Sequence, residues 1–249
     1  YKLVRLMSNI VNVLIPGKLL AATLVVANQR TRAALPKCRF GQVVELVENG
    51  VFTVKDKLEP IANKEPVNVI FAGRLVDWKA VDILIDAVSL CESRLMLTIV
   101  GGGSERAFLE DYAEKQLGTR PNIEYRFVGM AAFEEMNQHY DQADIFVLPS
   151  LYECGGAVVL EAMSRGLPVI ATDWGGPSDY ITDDSGYLVA PKSRVYMVTE
   201  FARMIDDLAR SPSKRQEIGA AAIARVKAHF MWDVKIKQML EIYQKAINQ

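Results

Sequence analysis

The chain has 249 residues; half are hydrophobic, 24% are charged, and 29 basic against 30 acidic side chains leave a net charge of −1. A chain of this size buries roughly 70–75% of its unfolded surface, and the composition excludes a disordered chain, a collagen-like repeat and a disulfide-stapled miniprotein. The even charge balance gives no bulk attraction to nucleic acid or to an anionic bilayer, so any anion site must be local.

The apolar stretch from Leu3 to Val26 is interrupted by Arg5, Asn9, Asn12, Pro16, Gly17 and Lys18. It reads neither as a membrane span nor as a signal peptide. Leu3, Leu6, Met7, Ile10, Val13 and Leu14 recur at helical spacing up to the break at Pro16-Gly17. A short strand follows at residues 23–27, a helical turn at 31–35 and a strand at 42–47, closed by Asn49-Gly50. Residues 49–66 are charged, carry Pro60 and Pro66, and read as a linker.

From Val67 the pattern alternates. Strands are expected over 67–73, 95–101, 123–128, 145–149, 168–172 and 187–189. Helices are expected over 81–91, 105–117, 133–143, 157–165, 197–209, 213–229 and 232–247. The strands are continuous apolar runs such as Ile145-Phe146-Val147-Leu148, which implies burial on both faces and a doubly wound, Rossmann-like parallel sheet. Ligands of such sheets sit beyond the carboxyl ends of the strands, so the loops after Ala72, Val100, Val128, Pro149 and Thr172 are where function is expected.

Cys38, Cys91 and Cys154 are odd in number, far apart and form no C-x-x-C, so neither a disulfide framework nor a zinc site is expected, and a reducing, cytoplasmic compartment is. His139 and His229 have nothing ligand-like at i+4, so no metal site is expected.

Five loops carry the candidate chemistry. Gly73-Arg74-Leu75-Val76-Asp77-Trp78-Lys79 sets two cations five positions apart ahead of a helix start, a pattern suited to phosphate; a solvated loop is the alternative. Gly101-Gly102-Gly103 permits close backbone approach to a ligand or to another loop. It is neither G-x-G-x-x-G, because Arg106 stands at the third glycine, nor a Walker loop. In Glu153-Cys154-Gly155-Gly156-Ala157, continuing to Glu161, two carboxylates can face one cleft at a helix N-terminus, as hydroxyl recognition requires. A salt bridge from Glu161 to Arg165 is the competing structural role. Cys154 reads as a small buried thiol. Trp174 has the option of stacking on a base or sugar, with packing in the core or an interface as its expected role.

Taken in order, Gly73-Arg74-Leu75 with Lys79, Ile99-Val100-Gly101-Gly102-Gly103, Phe127-Val128-Gly129, Ala143-Asp144-Ile145-Phe146-Val147-Leu148-Pro149-Ser150, the Glu153-x7-Glu161 pair and Ala171-Thr172-Asp173-Trp174-Gly175-Gly176 resemble the retaining glycosyltransferases of family 4 (group 1), which have the GT-B fold. The resemblance is strong over roughly 67–191. It implies that Arg74 and Lys79 bind the diphosphate of a nucleoside-diphosphate hexose (UDP-, GDP- or ADP-linked), that Glu153 contacts the transferred sugar and that Glu161 hydrogen-bonds the ribose. Backbone around Gly129 and Met130 would hold the base, and the N–H groups of Gly155, Gly156 and Ala157 would touch sugar or phosphate. No D-x-D occurs in the chain, which fits a metal-independent transferase that uses no cofactor beyond its donor.

The sequence departs from the family at Cys154-Gly155, where Gly-Phe is usual, and at Ala80, where Gly follows the clamp lysine. By this resemblance the chain is a fragment. Residues 1–48 match the tail of an N-terminal acceptor domain, 67–231 form the nucleotide-sugar domain, and 232–249 form a helix crossing back to the first domain. The acceptor (a sugar, lipid or small molecule) would be held by the missing domain, which would also provide any contact with the inner face of a membrane. A non-catalytic nucleotide- or sugar-binding module is the alternative function. An NAD-dependent oxidoreductase is disfavoured by the missing third glycine, and a sugar phosphorylase by the lack of a motif marking a pyridoxal phosphate lysine.

Overall fold

The computed structural model describes residues 7, 10, 11, 14, 17–35, 41–56, 58–61 and 64–248. Leu3, Leu6, Val13 and Cys38 lie outside the described residues. The chain divides into two compact units, Tyr1–Asn49 with Trp232–Gln249, and Gly50–Met231.

In the first unit Met7, Ile10, Val11 and Leu14 are helical and more than half exposed. They are followed by α1 (Gly17–Leu20), β1 (Thr23–Val26), α2 (Gln29–Ala34) and β2 (Gln42–Glu45). α2 starts at residue 29, earlier than the sequence suggests, because the Asn28 side chain accepts from the Thr31 N–H at 2.9 Å and caps the helix. β1 and β2 pair in parallel.

The second unit holds β3 (Val67–Ala72), α3 (Val81–Leu90), β4 (Leu95–Val100), α4 (Arg106–Leu117), β5 (Ile123–Gly129), α5 (Phe133–Gln142), β6 (Ile145–Leu148), α6 (Ala157–Ser164), β7 (Val169–Thr172), α7 (Gly176–Tyr180), β8 (Gly186–Val189), α8 (Arg194–Arg210) and α9 (Pro212–His229). The last helix, α10 (Trp232–Ile247), belongs to the first unit. Its Lys235 is buried and donates to the Val47 carbonyl beside a cavity of about 420 Å³ lined by Val25, Leu46, Trp232, Ile236 and Met239. Ile236, Leu240 and Tyr243 of α10 remain more than half exposed.

The six strands of the second unit form one parallel sheet in the order β5-β4-β3-β6-β7-β8. The order reverses between β3 and β6, the switch point at which doubly wound sheets open a crevice. Every residue of β6 and β7 is buried, and burying each large aliphatic or aromatic side chain stabilises by about 1.5–3 kcal/mol. β5 departs from the expected pattern. It alternates, with Glu124, Arg126 and Val128 exposed, because it is an edge strand, packed by α4 and exposed at alternate positions. At the amino ends of β3 and β6, the Asp144 carboxylate accepts from the Asn68 N–H at 2.8 Å and lies 3.4 Å from the Lys64 ammonium. Asp144, part of the family-like run, thus closes the end of the sheet opposite the candidate loops. Among the described residues no helix is long and apolar enough to cross a membrane.

Candidate functional site

The loop after β3 is anchored by Leu75, which is fully buried, and by the bond from its N–H to the Gly102 carbonyl at 2.9 Å. A single 3₁₀ turn follows at Asp77–Lys79, closed by bonds from the Lys79 N–H to the Val76 carbonyl and from the Ala80 N–H to the Asp77 carbonyl. Ala80 ends it at φ 50°, a left-handed conformation that suits glycine and costs an alanine about 1–2 kcal/mol. That is the physical reason a glycine is usual here.

This turn sends the two cations different ways. Lys79 Nζ points inward and pairs with the Glu153 carboxylate, with side chains only 13% and 11% exposed. Arg74 stays exposed, its guanidinium carbon 5.6 Å from the centre of the Trp78 ring, and among the described residues no carboxylate pairs with it. Lys79 and Glu153 come from the loops after β3 and β6, so the ion pair sits at the topological switch point. A half-buried pair of this kind depends on its geometry, because both charges have lost much of their water.

The Glu153–Gly156 loop is stacked on the loop after β7. The Gly176 N–H donates to the Cys154 carbonyl at 3.0 Å, and a Cβ on Gly175 would come within 1.5 Å of the Glu153 carbonyl oxygen. This backbone stacking leaves the Cys154 side chain exposed, which corrects the expectation of a buried thiol. Gly156, at φ 67°, is the N-cap of α6, so the N–H groups at Ala157 and beyond begin at the floor of the crevice.

The glycines after β4 serve another loop. The Gly101 N–H donates to the Gly129 carbonyl at 2.8 Å, and a Cβ on Gly101 would meet the Gly73 carbonyl oxygen at 1.8 Å. One on Gly103 would meet the Leu75 carbonyl oxygen at 2.2 Å. Gly102 has only the flexible Met130 side chain above it, and Met130 is 80% exposed.

Glu161 has a different partner from Glu153. Its carboxylate accepts from the Tyr140 hydroxyl at 2.9 Å and lines a cavity of about 340 Å³ with Val51, Thr53, Met136, Asn137 and Ser164; Glu153 does not line it. α6 begins at Ala157, so Glu161 lies a full turn down the helix, level with Tyr140 on α5. The alternative partner, Arg165, instead pairs with Asp141. Tyr140 is the residue that sequence reasoning missed, because helical spacing marks it only as a buried position and gives no sign of its hydroxyl's partner.

Burial pushes the Glu161 carboxyl above its usual range, opposed in part by the Tyr140 hydrogen bond. The folded protein therefore holds this proton more tightly than the unfolded chain, and stability falls as pH rises from the ordinary value of 4.5 through the raised one. Glu161→Gln keeps an acceptor for Tyr140 and removes the titration. Its stability relative to the parent should improve progressively in urea melts as pH rises above 4.5, and parallel pH profiles would contradict this assignment.

Residues 54–225 match the family model described as Glycosyl transferases group 1. Over 189 residues the chain is 30% identical to a D-inositol 3-phosphate glycosyltransferase of Streptomyces scabiei, covering 72% of this chain and 41% of that protein. It is 32% identical over 183 residues to an uncharacterized glycosyltransferase of Methanocaldococcus jannaschii, covering 72% and 45%. The chain thus spans less than half the length of these relatives. In fold it is similar to Anabaena HepE in complex with UDP and glucose, with a TM-score of 0.74, 21% identity, and coverage of 96% of this chain and 67% of that one. It is also similar to sucrose-phosphate synthase of Thermosynechococcus elongatus, with a TM-score of 0.73, 24% identity, and coverage of 93% and 60%. The expected Rossmann-like half of a GT-B architecture is therefore the fold observed. Because the matched segment is well over half of the chain and runs through all five loops, the chain belongs to the glycosyl transferases group 1 family.

Proposed function

We propose that this chain is the donor-binding part of a metal-independent, retaining glycosyltransferase that moves a hexose from a nucleoside-diphosphate sugar to an acceptor held by another part of the protein. The observation that carries this reading is the half-buried Lys79–Glu153 pair at the switch point, with exposed Arg74 on the same loop and the α6 N-terminus below. A diphosphate entering the crevice would meet Arg74 first and then compete with Glu153 for Lys79. As the leaving diphosphate gains charge, Arg74, Lys79 and the N–H groups of the first turn of α6 stabilise it without a metal. Glu153, released from Lys79, becomes an acceptor for sugar hydroxyls. Glu161 would take the ribose on turning from the Tyr140 hydroxyl that holds it in the free protein, and the backbone at Gly129 and Met130 would take the base. Three cysteines, odd in number and without a C-x-x-C, support a reducing compartment, and the reading takes the reaction to be cytoplasmic.

A thermal-shift panel of UDP, GDP and ADP with their hexose conjugates tests this. A ligand at 100 times its dissociation constant stabilises by about 2.7 kcal/mol. Arg74→Ala should weaken the nucleoside diphosphate that binds by about 1.5–3 kcal/mol. Glu153→Gln should keep or raise affinity for the free diphosphate, because it frees Lys79, and lower affinity for the conjugate. Equal losses for both ligands in Glu153→Gln would contradict this division of roles.

A further inference from the structure

The loop after β7 carries Trp174, which neither the proposed chemistry nor the core uses. Trp174 is 43% exposed, so of the two packing roles expected for it, core or interface, the core one does not hold. Tyr152, 66% exposed, stands against it with ring centres 6.0 Å apart and planes at 82°. The backbone beneath is fixed. The Asp173 N–H donates to the Val189 carbonyl and the Trp174 N–H to the Thr172 carbonyl, both at 2.8 Å, while the Ser178 hydroxyl holds the Asp173 carboxylate at 2.7 Å. An open aromatic face on a rigid loop is a pre-organised surface, since little freedom is lost when something settles on it.

We propose that Trp174, steadied by Tyr152, is a stacking platform for the apolar face of a pyranose ring at the rim of the donor site; this rests on the donor-site reading above. Two observations point to a sugar rather than a base. The Trp174-Gly175 loop lies directly on the backbone of Glu153, the acid assigned to sugar hydroxyls. The base region after β5 is four strand positions away from β7, about 19 Å at the usual strand spacing, so an extended nucleotide sugar reaches Trp174 with its sugar end. The faces of aromatic rings carry negative charge, and the C–H groups of a pyranose face are weakly positive, so the two surfaces attract as well as exclude water. Trp78 is a poorer platform, because the Arg74 guanidinium already lies over its ring.

The test uses the chain as it stands, with calorimetric titrations of UDP against UDP-glucose, GDP against GDP-mannose and ADP against ADP-glucose. In the pair that binds, Trp174→Ala should leave the free diphosphate unchanged and weaken the conjugate at least fivefold, with Trp174→Phe recovering most of the loss. A second arm measures saturation-transfer NMR of methyl α-glucoside. Unchanged conjugate affinity in Trp174→Ala, combined with a glucoside signal lost in that variant, assigns the platform to a separate sugar and keeps the proposal. Equal losses for diphosphate and conjugate overturn it, as does unchanged behaviour in both arms. If the parent chain binds no nucleotide at all, the donor-site reading fails on its own, and the platform stands or falls on whether Trp174→Ala abolishes the glucoside signal.

Discussion

Replacing Lys79 with alanine should destabilise the second unit by about 3–5 kcal/mol, because it strands the Glu153 carboxylate in a site where that side chain is only 11% exposed. For a unit of this size each kcal/mol moves the midpoint by roughly 2–4 °C, so the melt should shift by at least about 6 °C. Glu153→Ala strands the ammonium instead and should have a similar effect. The double variant removes both charges, and its cost should be well below the sum of the two single costs, leaving a coupling of about 1–3 kcal/mol. Calorimetric melts of the four proteins decide the matter. Additive losses would mean that the two charges do not interact, and the crevice would lose its electrostatic centre. The same lysine should also cost nucleoside-diphosphate affinity about tenfold or more, since it supplies a charge-assisted hydrogen bond.

That pair shows where sequence reading stops. The alternation of apolar runs and amphipathic segments marks every strand and long helix of the second unit to within about three residues, because periodicity reports burial directly. It does not mark the 3₁₀ turn Asp77–Lys79 or the five-residue α7, which are too short to show a period and are set by loop packing. Arg74 and Lys79 read alike as neighbouring cations, yet the turn and the left-handed Ala80 send one outward and one inward. Lys79 meets Glu153 across 74 positions, and Glu161 meets Tyr140 across 21. Both pairings depend on strand order, and strand order is absent from local spacing. The resemblance supplied residue types at the right loops. The sheet supplied which of them touch.

The glycines after β4 allow that distinction to be measured. If they cradle a ligand, the three positions should be alike in stability and differ in binding. The packing predicts the reverse. Gly101→Ala combines φ 142° with a Cβ 1.8 Å from the Gly73 carbonyl oxygen, and Gly103→Ala drives a Cβ to within 2.2 Å of the Leu75 carbonyl oxygen. Backbone cannot yield as a side chain does: overpacking costs about 1–3 kcal/mol at either position, and the positive φ of Gly101 adds about 1–3 kcal/mol of strain, so Gly101→Ala should lose about 2–6 kcal/mol and Gly103→Ala about 1–3 kcal/mol. Such a loss is a large part of the 5–15 kcal/mol that holds a typical domain together. Gly102→Ala meets only the Met130 side chain, Cγ at 3.1 Å and Sδ at 3.3 Å, and that exposed side chain can swing away, so its cost should stay within about 0.5 kcal/mol. Urea midpoints of the three variants separate the two accounts. A Gly102 variant as unstable as its neighbours would refute the packing explanation. A stable Gly102 variant that loses nucleotide affinity would instead place the donor directly over that residue, beneath Met130.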